Sequence, residues 1–141
     1  MVSIVLHWLV AFVIVGLFVL GLWMVELDYY HSWYQQAPFL HESIGVLLFV
    51  LICIRIFWRV KSTQPQPISS HSKLEKIAAK GAHIVLMALM VLVPVSGYLL
   101  SSADERSISV FGLFQLPAVG SLIDNQEDIA GIWHWYLALL L

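Results

Sequence analysis

Four of the six histidines lie in or at the ends of long apolar segments of the chain: His7, His41, His83 and His134. Ionisable side chains are costly at membrane depth, so they usually pair, line a cavity or bind a ligand. For any one of these histidines considered alone, a position at the membrane interface is an equally good explanation. Two imidazoles from facing helices at one depth are what haem iron needs for six-coordinate ligation, which favours electron transfer over oxygen chemistry. A zinc site would need three or four ligands in one cluster.

The segments that carry these histidines have the composition of membrane helices. Of the 141 residues, 60% are apolar and only 11% are charged, whereas about a quarter of the residues of a soluble domain are charged. A helix needs roughly 20 residues to cross the hydrocarbon of a bilayer. We therefore predict helices at about 3–25, 41–58, 77–100 and 129–141, the third starting at Ile77 or Gly81. Pro94 inside the third helix is tolerable because neighbouring helices can satisfy the freed carbonyl.

The fourth segment is shorter than the other three. It reaches Leu141 after only thirteen residues, which at about 1.5 Å of rise per residue is roughly 20 Å of helix. We expect helix four to be incomplete and the chain to be truncated within it. The predicted fold class is all-α: an integral membrane four-helix bundle with haem between its helices, forming a single domain over residues 1–141.

The charges predict the orientation of the bundle, because Lys and Arg are enriched in cytoplasmic loops. Six of the seven basic residues adjoin the loop between helices two and three, and the other two loops are acidic. The N-terminus and the middle loop should therefore be cytoplasmic. This orientation puts His41 and His134 near the outer side, and His7 and His83 near the inner side. The near-neutral charge balance argues against a nucleic-acid partner.

Arg55 lies fourteen residues after His41, so the two share one helix face about 21 Å apart along the axis. Its guanidinium could pair with the propionates of a second haem at the inner side. A basic residue reaching for the inner interface is an equally good explanation. Glycines share faces with the histidines and would let a flat macrocycle approach the backbone, although small residues also serve helix packing. These glycines are Gly45 with His41, Gly21 with His7, Gly97 with His83, and Gly131 with His134.

At these residues the sequence resembles the bacterial cytochrome b561 family, whose members are di-haem cytochromes of the inner membrane. The resemblance runs over essentially the whole chain. The stretches that carry it are LHWLVAFVIVGLFVLGLWMV, DYYHSWYQQAPFLHESIGVLLF, RIFWRV, GAHIVLMALMVLVPVSGYLLSSADERSISVFG and IAGIWHWYLA.

The resemblance implies two b-type haems, with a complete ligand pair for the outer haem and one ligand for the inner haem in this chain. The residues matching His41 and His134 hold the outer haem in that family, and the one matching His7 holds the inner haem. The family partner of His7 is a second histidine of helix four, about fourteen residues after the first, which would fall beyond Leu141. His83 matches a histidine that is not generally an iron ligand, so the resemblance implies a quinone or propionate contact for it.

We therefore predict transmembrane electron transfer through bis-histidine b-type haem in the bacterial inner membrane. The expected partners are membrane lipid, the quinone pool and an electron donor or acceptor at the outer surface. The sequence is also compatible with a homo-oligomer. Any enzyme activity would be quinone-linked redox chemistry. Two alternatives remain: a haem-containing anchor subunit of a larger dehydrogenase or hydrogenase, and a haem-free membrane carrier. We expect His31 and His71, in the loops, to be solvated.

Overall fold

A computed structural model describes residues 1–62 and 72–141 of the chain. His71 and the middle of the loop between helices two and three lie outside these ranges. Within them the chain forms four helices and one short β-hairpin, which confirms the predicted helical bundle. In chain order the elements are α1 Val2–Met24, α2 Gln36–Lys61, α3 Lys73–Ser101, β1 Ile108–Val110, β2 Phe114–Leu116 and α4 Gln126–Leu140.

The helices begin earlier than the apolar pattern predicts, and the difference is largest for α2 and α3. The backbone N–H of Ala37 already donates to the carbonyl of Trp33, so α2 starts one to two turns before His41. The N-terminus of α3 is fixed by a capping box, in which the Ser72 hydroxyl accepts from the Glu75 N–H and the Glu75 carboxylate accepts from the Ser72 N–H. Apolarity marks the part of a helix that lies in lipid, whereas helical hydrogen bonding continues into the polar ends.

The side chains that α1, α2 and α3 expose are suited to lipid. These three helices are long and apolar enough to cross a membrane. Large apolar side chains such as Phe12 and Val19 point away from the protein with 70% and 60% of their surfaces exposed. Exposure of so much apolar surface to water would be unfavourable by about 25 cal/mol per Å². The chain is therefore an integral membrane protein whose helices contact lipid.

The helices pack as two antiparallel pairs. In the first pair, His7 of α1 lies beside Arg55 of α2, and Gly21 lies beside His41. In the second pair, α3 packs along α4, and α2 and α3 join the two pairs along one edge. The buried core is small and joins α1 to α2 through Val10, Leu17, Leu48 and Ile52.

The hairpin of β1 and β2 lies over the start of α2. The Ser43 hydroxyl donates to the carbonyl of Ser109 at 3.2 Å and accepts from the N–H of Phe111 at 3.1 Å. Phe111 and Gly112, with φ of 50° and 70°, make the turn between the strands. The sequence analysis did not predict this hairpin because three-residue strands are too short to show an alternating pattern. The hairpin anchors the loop before α4 next to the helix end that carries His41.

Candidate functional site

His41 and His134 come together between the two helix pairs. Their ring centres are 6.1 Å apart and the ring planes are inclined by 84°. His41 lies in the second turn of α2, and His134 lies in the middle of α4. Both residues are partly buried. Of the four histidines singled out from the sequence, these two are the pair that the structure brings into ring contact.

Two glycines make room for these rings. A Cβ at Gly97 would lie 3.0 Å from Cε1 and 3.2 Å from Nδ1 of His134, and a Cβ at Gly21 would lie 3.2 Å from Cε1 of His41. The sequence analysis related Gly21 and Gly97 to histidines of their own helices. In the structure each glycine instead receives the imidazole of the neighbouring helix. Gly45, by contrast, has nothing within 4 Å of its missing side chain.

Hydrogen bonds fix which nitrogen of His134 carries the proton. Its Nδ1 lies 2.9 Å from the carbonyl oxygen of Val93 and 3.2 Å from the hydroxyl of Ser96. A carbonyl can only accept, so Nδ1 is the donor and Nε2 keeps its lone pair. The Nδ1 of His41 is buried and has no hydrogen-bond partner among the described residues. The site therefore holds one imidazole with a defined free nitrogen and one with an unsatisfied buried nitrogen.

The two rings border a cavity of about 320 Å³ that all four helices line. Its size is in the range of sites that enclose small ligands and cofactors. Apart from the two imidazoles its walls are apolar or glycine. Lining residues from the four helices include Ile14, Gly21, Gly45, Leu48, Val93 and Ala138. The cavity can thus take a large apolar group and offers it two nitrogen ligands.

The ring separation fits two imidazoles bound to one metal ion. A metal–imidazole bond is about 2 Å and a ring centre lies about 1 Å behind its nitrogen, so rings facing each other across one ion have centres about 6 Å apart. The observed distance of 6.1 Å is compatible with this value and is also the spacing of an ordinary edge-to-face ring contact. Across the described ranges no group of three or more His, Cys, Asp or Glu side chains could hold a metal ion. Two imidazoles, an apolar cavity and glycine walls fit an iron porphyrin better than a zinc ion.

His7 and Arg55 form a second contact at the opposite end of the bundle. One guanidinium nitrogen of Arg55 lies 2.8 Å from Nδ1 of His7, and the other donates to the sulfur of Met90 at 3.4 Å. A guanidinium only donates, so Nδ1 of His7 accepts and the proton of that ring is on Nε2. Arg55 is half-buried, and neither of these partners is an anion.

His83 stands apart from His7 and Arg55. Its Nδ1 donates to the carbonyl of Ala79 in its own helix at 2.9 Å, and the ring is exposed. No hydrogen bond or ring contact joins it to His7 or Arg55 in the part of the chain that the structure describes. His31, expected to be solvated, is exposed in its loop, where its Nδ1 accepts from the N–H of Trp33 at 3.1 Å.

The partners of His134, Ser96 and the Val93 carbonyl, were not predicted from the sequence. A buried serine within an apolar membrane helix was the available signal, because an unsatisfied hydroxyl is costly in lipid.

Charges also surround the hairpin end of the site. Arg106 pairs with Asp104, which holds the pKa of that carboxyl below its usual value and raises the pKa of Arg106. Glu42 and Glu127 raise the pKa of Arg106 further.

Comparison with known proteins shows the family of the chain. The sequence profile described as prokaryotic cytochrome b561 matches residues 1–141. Cytochrome b561 homolog 2 of Escherichia coli (strain K12) is 48% identical over 132 residues, which are 94% of this chain and 70% of that protein. The similarity thus extends through all four helices and the hairpin. From the whole-length match and this level of identity, the chain belongs to the prokaryotic cytochrome b561 family.

Proposed function

We propose that His41 and His134 are the two axial ligands of one b-type haem in a cytochrome that exchanges electrons with the quinone pool. Members of this family are b-type haem proteins that transfer electrons in the bacterial inner membrane. Bound haem iron supplies the redox chemistry by changing between its ferric and ferrous states. The observation that carries the ligand assignment is the 6.1 Å separation of the two rings beside an apolar cavity.

Each of the two histidines has a distinct part in this proposal. His134 offers the lone pair of Nε2, because its Nδ1 proton is engaged by the Val93 carbonyl. His41 approaches from α2, where Gly21 allows its ring to pack against α1. Two imidazoles leave no open coordination position, so small ligands such as oxygen would have no place to bind. The apolar walls would hold the group at low dielectric, which disfavours a net charge on it.

The proposed exchange with quinones predicts a direct reaction with a quinol. A short-chain quinol added to the purified, oxidised protein in detergent should produce the absorption bands of reduced b-type haem. The control is the same addition after the protein has been denatured. A protein that carries haem and is reduced by dithionite, but not by the quinol, would contradict the quinone assignment while leaving the haem assignment intact. Purification with a soluble partner would instead favour an anchor subunit of a larger enzyme.

We also propose that the middle loop is cytoplasmic, which follows from the six basic residues beside it. The charges of Arg106 and the acidic residues around it then lie on the outer side, near the proposed haem. A reporter that is active only in the periplasm should stay silent when fused at Gln66 and should be active when fused at Asp124. Fusions that give the reverse pattern would overturn the orientation.

At the inner end we propose that His7 is a ligand of a second haem and that Arg55 pairs with its propionates. Arg55 is half-buried beside an imidazole and a thioether, so its charge lacks an anionic partner in these contacts. To ligate iron through Nε2, His7 must have its proton on Nδ1, and its hydrogen bond from Arg55 must then break. The guanidinium would become available to a carboxylate at that step.

This proposal predicts that Arg55→Ala weakens retention of the inner haem. A charge-assisted hydrogen bond contributes about 1.5–3 kcal/mol, so the loss should be roughly tenfold to a hundredfold in affinity. Arg55→Lys should retain part of the haem affinity, because lysine keeps the positive charge but lacks the forked guanidinium group. Haem per polypeptide after extended dialysis is the measurement, with Lys80→Ala as the control for loss of an inner positive charge. Equal haem content in the Arg55→Ala and control proteins would refute the role of Arg55.

A further inference from the structure

Ser96 is a buried serine of α3 whose hydroxyl lies between the backbone and the site. Only 7% of its surface is exposed. Its Oγ lies 2.8 Å from the carbonyl oxygen of Val93 and 3.2 Å from Nδ1 of His134. Since the carbonyl can only accept, the hydroxyl proton is donated to Val93. Towards His134 the same oxygen can therefore only accept, and the Nδ1 proton is shared between two oxygens.

A serine whose hydroxyl is hydrogen-bonded to a carbonyl of the preceding turn is common in helices and does not by itself indicate a functional site. That local bond accounts for the 2.8 Å contact with Val93. It does not account for the second contact, in which the same oxygen and the same carbonyl both converge on one nitrogen of His134. Gly97, the next residue along α3, leaves the space in which the ring reaches these two oxygens.

The two rings of the site differ in the hydrogen bonding of their Nδ1 atoms. Nδ1 of His134 has two oxygen partners, whereas Nδ1 of His41 has none among the described residues. Hydrogen bonds from the outer nitrogen of an imidazole to oxygen acceptors fix its tautomer and increase its basicity as a metal ligand. His134 should therefore donate more electron density to a bound metal than His41 does.

We propose that Ser96 is a positioning residue that, together with the Val93 carbonyl, holds His134 in its ligating tautomer and lowers the midpoint potential of the haem bound there. This inference rests on the proposed ligation by His134. Stronger donation favours ferric over ferrous iron, and removing one acceptor weakens that donation. Loss of the Ser96 hydroxyl should therefore move the midpoint potential to a more positive value.

The test is a redox titration of purified holoprotein carrying Ser96→Ala or Ser96→Cys. Both variants remove the hydroxyl, and the cysteine variant nearly keeps the shape of the side chain, so it serves if the alanine variant does not fold. Each should retain its haem and show a more positive midpoint potential. Ser96→Thr keeps the hydroxyl and should return the potential towards that of the original protein. Ser102→Ala is the matched control, because Ser102 is a fully buried serine at the end of α3 without a hydrogen-bond partner among the described residues.

The outcomes separate this inference from the haem assignment. A haem-loaded Ser96→Ala or Ser96→Cys protein with an unchanged potential would overturn the role of Ser96 and leave the ligation by His134 standing. An equal shift in Ser102→Ala would also overturn it, because the effect would then follow from losing any buried hydroxyl. If the unmodified protein carries no haem, the proposed function itself fails.

Discussion

Replacement of either His41 or His134 by alanine should abolish the low-spin haem signal of the outer site. Each substitution removes one of two iron ligands, and the remaining imidazole would leave the iron five-coordinate or the cavity empty. Because both ligands belong to one site, the two single variants and the double variant should lose the same signal. Reduced-minus-oxidised absorption spectra and haem per polypeptide are the measurements.

The matched control for these variants is His31→Ala. His31 is an exposed loop histidine whose ring packs against Trp23 at the end of α1. Its replacement should leave the spectrum unchanged. A normal outer-haem spectrum in either His41→Ala or His134→Ala would show that the ligand pair has been assigned wrongly. A loss of signal in the His31→Ala protein would point to a general effect of histidine replacement on folding.

The substitution Gly97→Ala should displace His134 although it leaves both ligands in the sequence. The added Cβ would lie 3.0 Å from Cε1 and 3.2 Å from Nδ1 of the ring, closer than real Cβ contacts normally are. Forcing an extra carbon into a packed position typically costs about 1–3 kcal/mol. The ring would have to shift by a few tenths of an ångström against the Val93 carbonyl and Ser96, so we expect haem affinity to fall by roughly tenfold.

Gly16→Ala controls for the general effect of adding a methyl group to a membrane helix. Gly16 has nothing within 4 Å of the position where its Cβ would lie. Haem content and thermal stability should therefore be unchanged in this variant. Haem binding by Gly97→Ala that equals the binding by Gly16→Ala would contradict the packing of His134 against Gly97.

Much of the helical architecture follows from the sequence by simple physics. Long apolar runs require helices in lipid, because every backbone polar group must find its partner within the segment. The positions of His41 and His134 near the starts of their helices predicted one depth for both, and the structure has their rings in contact. Depth along the bundle could be predicted because it depends only on where each residue lies in its own helix.

The neighbours of each ring could not be predicted in this way. Gly21 and Gly97 were related to histidines of their own helices by periodicity, but each packs against a histidine of the next helix. Periodicity gives the face on which a residue lies, whereas the facing residue depends on how two helices are shifted and rotated against each other. The contact of Ser96 with His134 depends on the same relation between α3 and α4. The hairpin escaped prediction for a different reason, since its strands are only three residues long.

If one haem is held between His41 and His134, a single spectroscopic measurement can identify both iron ligands. Near-infrared magnetic circular dichroism of ferric haem gives a charge-transfer band whose energy depends on the ligand pair. The measurement is best made on purified His7→Ala protein, in which a haem bound through His7 is absent. Ligation by His41 and His134 predicts a low-spin band with the energy of two imidazole ligands. A high-spin spectrum, or a band of another ligand pair, would contradict it.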